Sequence, residues 1–207
     1  AVGGMGSITQ LMKSACEEKG VEISTNTPVE KILIKNNKAN GVMLEDGTQI
    51  FADKVISNLN PKLLFKKLVD ENDVEQEYRR KILNYKCGSG TFRMNVALSE
   101  LPDFNCIPGK EISEHHKSGI VIAPTLTYMD QAFTDAKQYG WSKNPIVEML
   151  IPSTVDSTLA PEGKHVASLF CQQFAPTLPD NKSWHDEKAN AANTIIETVN
   201  KFAPNFK

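Results

Sequence analysis

Side chains capable of catalysis occur in this chain of 207 residues, but not in the arrangement of any common acid, base or nucleophile mechanism. A serine hydrolase needs a nucleophile beside a base, and the Gly-x-Ser-x-Gly sequence of the usual nucleophile turn does not occur. The Gly-x-x-x-x-Gly-Lys sequence that binds nucleoside triphosphates is also missing. On side-chain chemistry alone, the chain is predicted only to be a soluble α/β domain with a mixed sheet.

The cysteines and histidines are too scattered to predict a zinc site or a redox pair. No two of the four cysteines have the Cys-x-x-Cys spacing. Cys16 and Cys171 lie in apolar patterns typical of core residues. Reduced thiols, as in a cytoplasmic protein, are the default expectation. His115 and His116 are adjacent and therefore a poor metal pair, and we expect them in a surface loop.

A glycine turn followed by a helix opens the chain, and the other elements are read relative to it. Residues 3–6 are Gly-Gly-Met-Gly, and apolar residues then recur with helical spacing as far as residue 16. Ser7 is predicted to cap this helix. Gly20 is predicted to end it in the left-handed conformation.

Short strands are predicted between this helix and residue 60. Alternating apolar and polar residues indicate a half-buried strand at 21–25 and a short apolar strand within 52–58. Between them, β-branched residues and two turns predict an antiparallel meander over residues 29–51. The Asp-Gly pair at 46–47 is predicted to form its second turn with both residues at positive φ.

The rest of the chain is predicted to form longer strands covered by helices. Residues 140–145 are expected to form a turn before the strand at 146–151. The change in element length places a domain boundary near residue 60, separating residues 1–60 from residues 61–207. The other predicted helices are 61–68, 74–84, 127–139 and 189–202, and the other predicted strands are 91–98, 119–124 and 165–174.

Composition and charge exclude some classes of partner. The net charge of −2 and the pI near 6.1 provide no positive field to attract nucleic acid. No apolar run approaches the ~18 residues that a membrane-spanning helix requires.

Two separated motifs resemble one family. The first runs through the Gly-Gly-Met-Gly turn, Thr-Pro-Val-Glu-Lys-Ile at 27–32, Asn-Gly-Val-Met-Leu-Glu-Asp-Gly-Thr at 40–48, and Ala-Asp-Lys-Val-Ile-Ser-Asn at 52–58. The second is Asp-Ser-Thr-Leu-Ala-Pro-Glu-Gly at 156–163. In this order they resemble the middle of phytoene desaturases and carotenoid isomerase-like flavoproteins.

The resemblance implies an α/β fold of the α+β mixed type. Residues 1–60 would form part of an FAD-binding domain with its β-meander, and residues 61–207 a mixed-sheet substrate-binding domain with covering helices. The glycine-rich flavin fingerprints near the two ends of that family are missing here. We therefore expect a central fragment that is inactive alone and does not retain FAD by itself.

The resemblance also implies which residues lie near the cofactor and substrate. Val29 would meet the adenine ring of FAD through its backbone, and Ser57 and Asn58 would lie near the same nucleotide half. Gly3 and Gly4 would border the flavin ring and the substrate tunnel. No catalytic side chain and no metal ligand is implied, because the flavin supplies the redox chemistry.

The expected reaction is dehydrogenation or isomerisation of a polyene or other apolar small molecule. Two alternatives remain: a non-enzymatic interaction domain that keeps this shape, and an amine-oxidase-type flavoprotein. We expect a cytoplasmic location, peripheral membrane association of the parent protein, self-association of the chain through exposed apolar surface, and no nucleic-acid partner.

Overall fold

The computed structural model describes residues 2–87 and 90–207, and it confirms a fold of mixed helices and sheets. The helices are α1 (Met5–Glu17), α2 (Pro61–Leu63), α3 (Gln76–Leu83), α4 (Leu126–Tyr139) and α5 (Trp184–Phe202). The strands are β1 (Val29–Lys35), β2 (Lys38–Leu44), β3 (Gln49–Phe51), β4 (Phe92–Leu98), β5 (Ile120–Ile122), β6 (Trp141–Leu150) and β7 (His165–Phe174).

The chain divides into two compact units. One contains Ala15–Cys87, and the other contains Ala1–Ser14 together with Gly88–Lys207. This division follows contacts within the chain, whereas the boundary near residue 60 is predicted from the change in element length. That boundary therefore stays a prediction.

The unit Ala15–Cys87 is built on the predicted meander. Strands β1, β2 and β3 pair antiparallel in that order. The first turn has Asn36 and Asn37 at φ of 53° and 59°, which asparagine tolerates well. In the second turn only Gly47 has positive φ, at 85°, so the prediction that Asp46 shares this conformation was wrong.

Neither strand predicted on the two sides of the meander forms. Residues 21–25 and 52–58 are extended or bent, but they enter no ladder among the described strands. A strand needs a neighbour to satisfy its backbone groups, and the apolar pattern alone cannot supply one. Ile56 is consequently 95% exposed.

A short helical region closes the same unit. Asn60 caps α2, its side chain accepting a hydrogen bond from the amide of Lys62, and Pro61 occupies the first position as predicted. α2 continues as a π-helical turn over Leu64–Leu68. The rings of Phe65 and Tyr78 then meet edge to face, with centroids 5.3 Å apart, which joins this turn to α3.

The other unit contains a four-stranded sheet in the order β4-β7-β6-β5. Every pairing in it is antiparallel, so the sheet formed by the described strands is not mixed as predicted. The predicted turn at 140–145 was also wrong. Gly140, at φ 95°, ends α4, and β6 begins at the next residue, Trp141. No separate loop therefore joins α4 to β6.

One face of this sheet forms the core. Alternate residues of β6 and β7, including Met149 and Leu169, are fully buried. α5 covers them with Ala191, Ile195 and Val199, spaced to lie on one side of the helix. The core-facing residues therefore fix which side chains β4, β6 and β7 present on the opposite face.

Candidate functional site

The three residues predicted to lie near the nucleotide converge on one cavity of the unit Ala15–Cys87. Val29, at the start of β1, and Ser57 and Asn58 border the same space, whose volume is about 620 Å³. The meander supplies one side of it, and the extended segment before α2 supplies another. The chain separates Val29 from Ser57 by the whole meander, so the fold creates this proximity.

The walls of the cavity are mostly apolar, with polar groups among them. A mainly apolar slot with a few hydrogen-bonding groups is what a flat heteroaromatic ring requires. The apolar lining residues are Val29, Ile32, Val42, Val55, Ile56, Leu59, Leu63 and Leu68, and the polar ones are Glu30, Glu45, Ser57, Asn58 and Lys67.

The polar side chains of the 57–58 segment differ in how they are engaged. Ser57 Oγ accepts a hydrogen bond from the amide of Leu59 at 3.3 Å, which shapes the turn into α2. Asn58 makes no side-chain hydrogen bond within residues 2–87 and 90–207. Its amide can therefore donate and accept at the edge of a ring bound in the cavity. These residues fit the adenine half of a dinucleotide.

The loop that carries the second motif accepts two hydrogen bonds from the glycine turn, within the unit that contains residues 1–14, and we call this arrangement the clasp. The amide of Gly3 donates to Thr158 Oγ1 at 3.1 Å, and the amide of Gly4 donates to Asp156 Oδ2 at 3.2 Å. Asp156 Oδ1 in turn accepts from the Thr158 hydroxyl at 2.6 Å and from the Thr158 amide at 3.1 Å. The two family motifs therefore form one hydrogen-bonded structure.

Both glycines are required by the geometry of this clasp. Gly3 and Gly4 have φ of 83° and 77°, a region that other residues rarely adopt. A Cβ on Gly4 would also lie 3.0 Å from Leu159 Cδ2 in the same loop. Ser7 does not cap α1 as predicted, because α1 begins two residues earlier and the Ser7 hydroxyl donates to the Gly4 carbonyl at 2.7 Å.

The clasp makes the glycine turn unsuitable for a phosphate. Its two amides already donate to Thr158 and Asp156. The Thr158 hydroxyl, followed by backbone amides that include that of Gly4, lowers the pKa of Asp156 below its ordinary value of 3.8. A carboxylate that stays charged at neutral pH would repel a pyrophosphate. The amides of Gly3 and Gly4 are therefore not available to bind a phosphate.

We predict that Asp156→Ala releases the glycine turn. The Gly4 amide loses its acceptor, and the Gly3 amide loses the Asp156 hydrogen bonds that orient its acceptor, Thr158. Both amide protons should therefore exchange faster with water, and their chemical shifts should move toward those of an unstructured glycine. Amide-resolved NMR measures both effects. Asp130→Ala, at an exposed position of α4, is the matched control and leaves both amides unchanged.

The same spectra test the charge of Asp156. Because its folded pKa is depressed, its stabilisation is present above the unfolded value and is lost as the pH falls through the folded one. The midpoint of the change in the Gly4 amide shift should therefore lie below the ordinary carboxylate pKa of 3.8. A change centred above that value would contradict the hydrogen bond.

Comparison with known proteins finds similar sequences over most of the chain. The family model described as flavin containing amine oxidoreductase matches residues 1–91. The pyridine nucleotide-disulfide oxidoreductase domain-containing protein 2 of Mus musculus is 32% identical over 99% of this chain and 36% of its own length. Prolycopene isomerase 2 of an Oncidium hybrid is 28% identical over 97% of this chain and 31% of its own length.

A desaturase and a solved structure extend the comparison. The zeta-carotene-forming phytoene desaturase of Myxococcus xanthus is 26% identical over 78% of this chain and 28% of its own length. A crystal structure of an oxidoreductase from Methanosarcina mazei superposes with a TM-score of 0.65 at 20% identity, over 96% of this chain and 39% of that one. The structural match shows a shared fold.

The chain resembles flavin-containing oxidoreductases, among them carotenoid desaturases and isomerases. The resemblance noted from the two motifs is thereby confirmed. The chain spans about a third of the length of the curated relatives it matches, 36% for the mouse protein and 31% for the orchid isomerase. The roles of Val29, Ser57, Asn58, Gly3 and Gly4 remain predictions.

Two features of the structure were not expected from the sequence. His116 is fully buried, in contrast to the predicted surface loop: its Nδ1 accepts from the Ser113 amide and its Nε2 donates to the Pro102 carbonyl at 3.0 Å. The hydrogen bonds of Asp156 were also missed, although Asp-x-Thr is a common turn sequence and could have indicated a local cap. No group of three or more metal-ligating side chains occurs in the described ranges.

One of the cysteines is buried as predicted from its apolar surroundings. Cys171 is fully buried in β7, and burial raises the pKa of its thiol to about 12. The thiol therefore stays protonated and acts as a small core side chain. Cys16 is half-buried.

Proposed function

We propose that the chain is the central part of an FAD-dependent oxidoreductase that dehydrogenates or isomerises a polyene or other apolar small molecule. The observation that supports this most is the similarity to a prolycopene isomerase over 97% of the chain, covering both units. The cavity beside Val29 and the clasped glycine turn agree with it, because the first motif lines the cavity and the two motifs together form the clasp.

Each group of residues has a defined role in this proposal. Val29, Ser57 and Asn58 hold the adenine half of FAD, and Gly3 and Gly4 lie beside the substrate. A bound flavin would supply the acceptor for the hydride. The chain contributes position and exclusion of water, so it needs no catalytic acid or base of its own. The 207-residue chain alone is expected to be inactive.

The location and partners are further parts of the proposal. α1 buries none of its residues, and Leu11 and Met12 are 71% and 63% exposed. This apolar surface supports self-association of the isolated chain. No helix in the described ranges is long and apolar enough to span a bilayer. We propose a cytoplasmic parent protein that binds the membrane surface, where apolar substrates dissolve, and that binds no nucleic acid.

We predict that the parent protein, expressed with the sequence that flanks this chain, purifies with a bound flavin. Its absorption spectrum should show the flavin band near about 450 nm, and denaturation should release FAD. A protein that stays colourless when purified and when incubated with excess FAD would support the non-enzymatic interaction domain instead.

The amine-oxidase alternative has one observation in its favour, the description of the family model that matches residues 1–91. The same preparation separates the two reactions. Anaerobic bleaching of the flavin by a polyene supports dehydrogenation, and conversion of the polyene to an isomer with no net bleaching supports isomerisation, provided that primary and secondary amines do not bleach the flavin. Bleaching by amines alone would favour the alternative.

A further inference from the structure

One row of side chains crosses the face of the four-stranded sheet that lies opposite the core. Arg93 on β4 is paired with Phe170 on β7, Phe170 with Glu148 on β6, and Glu148 with Val121 on β5. Paired residues in neighbouring strands point to the same side of a sheet. Their sequence neighbours Met149 and Leu169 belong to the core. The row therefore presents a cation, an aromatic ring, an anion and an apolar side chain.

Arg93 is held in place but has no charged partner. Its Nη2 donates to Ser168 Oγ at 3.0 Å, and its Cζ lies 5.9 Å from the centre of the Phe170 ring. Within the described ranges, no carboxylate lies within the 4.0 Å limit of an ion pair with Arg93. The guanidinium is oriented by a neutral hydroxyl and a ring, which leaves several N–H groups available.

A cavity of about 260 Å³ lies over this row. Its polar lining side chains are Arg93, Ser168 and Glu148, and its apolar lining includes Val121, Leu150 and Phe170. Leu150 and Val121 are 55% and 62% exposed. The cavity thus holds a cation at the β4 side, a carboxylate on β6, and apolar side chains on β5, β6 and β7.

We infer that this cavity binds an amphipathic anion, with its carboxylate or phosphate on Arg93 and its hydrocarbon part over Phe170, Val121 and Leu150. A guanidinium pairs with such groups through two parallel N–H donors, and its orientation here is set before binding. A wholly hydrocarbon ligand would shield the Arg93 guanidinium from water without accepting its hydrogen bonds, which is unfavourable. The inference rests on the proposed function in taking the bound molecule as the substrate, and it narrows that substrate to an apolar molecule that carries an acidic group at one end.

Glu148 also lines the cavity and is the group that could oppose an anion. Its Oε1 accepts a hydrogen bond from Gln172 Nε2. It is also separated from Arg93 by the intervening strand β7 and the Phe170 ring. If Glu148 dominated instead, the cavity would select a cation. The sign of the ligand charge is therefore the decisive measurement.

Three probes with the same ten-carbon chain test the inference on the 207-residue chain: decanoate, decanol and decylamine. Decanoate and decylamine are titrated below their micelle concentrations, and decanol below its solubility limit, while the amide signals of β4, β6 and β7 are followed by NMR. We expect decanoate to bind most tightly and to shift Arg93, Ser168 and Phe170. Arg93→Gln should weaken decanoate about tenfold and leave decanol unchanged, because it removes the guanidinium that pairs with the carboxylate and leaves the apolar lining in place.

Matched variants show which side chains bind the probes. Arg80→Gln removes an exposed arginine of the other unit and should not change binding. Phe170→Ala should weaken decanoate and decanol alike. Tighter binding of decylamine, abolished by Glu148→Gln, would overturn the inference, and so would equal binding of decanoate and decanol. The assay uses no flavin, so a colourless parent would refute the proposed function while leaving this result intact.

Discussion

Leu169→Ala is expected to lower the free energy of unfolding by about 3 kcal/mol, the usual cost of truncating a leucine that water does not reach. Leu169 is fully buried in β7, the strand that pairs on one side with β4 and on the other with β6. Removing its side chain leaves a cavity that the neighbouring strands cannot close without losing their own pairing. Urea unfolding monitored by circular dichroism measures the change.

The matched control is Leu126→Ala at the start of α4, where the leucine is 84% exposed. It should change the free energy of unfolding by less than about 0.5 kcal/mol. A loss below about 1 kcal/mol for Leu169→Ala would contradict the core described above. The truncation should also broaden the NMR signals of Ser168 and Phe170, because Leu169 fixes the position of its two neighbours on the opposite face.

Elements whose stability depends on local pattern were predictable from the sequence. The meander forms because β-branched residues alternate between turns whose asparagines and glycine tolerate positive φ. α5 forms because its apolar residues recur on one side, although the buried stripe contains Ala191 and Thr198 and not the exposed Ala189. In both cases the interactions that decide the element lie close together in sequence.

Elements that depend on a distant partner were predicted less well. The segments 21–25 and 52–58 have strand patterns but no neighbouring strand among the described residues. His116 looked like a loop residue, yet the carbonyl of Pro102 and the amide of Ser113 satisfy its ring in a buried position. Pattern alone identifies which groups need a partner, and the tertiary fold determines whether one is present.

The same distinction between local pattern and distant partners applies to the candidate site. The resemblance identified Val29, Ser57, Asn58, Gly3 and Gly4 from motif positions. It could not show that the first three share a cavity or that Asp156 holds the glycine turn. The interaction of Gly4 with Asp156 spans 152 positions of the chain, so only the tertiary structure reveals it.

Val29→Trp is expected to lower the affinity of the chain for adenosine by at least about tenfold. Val29 is half-buried at the start of β1 and lines the 620 Å³ cavity. The indole would occupy the apolar space that the adenine ring needs, and a ligand that small has few other contacts to compensate. NMR titration with adenosine, followed at the amides of Val42 and Ser57, measures the affinity.

Val21→Trp is the matched control, because Val21 is 49% exposed and lies outside the cavity lining. It introduces the same side chain and should leave adenosine affinity unchanged. Asn58→Ala should weaken binding less than Val29→Trp, since it removes one hydrogen-bonding group and leaves the space open. Equal affinity in the wild-type chain and Val29→Trp would show that adenosine binds elsewhere. Adenosine that shifts no cavity amide would remove the adenine role of Val29, Ser57 and Asn58 and leave the clasp of Gly3 and Gly4 unaffected.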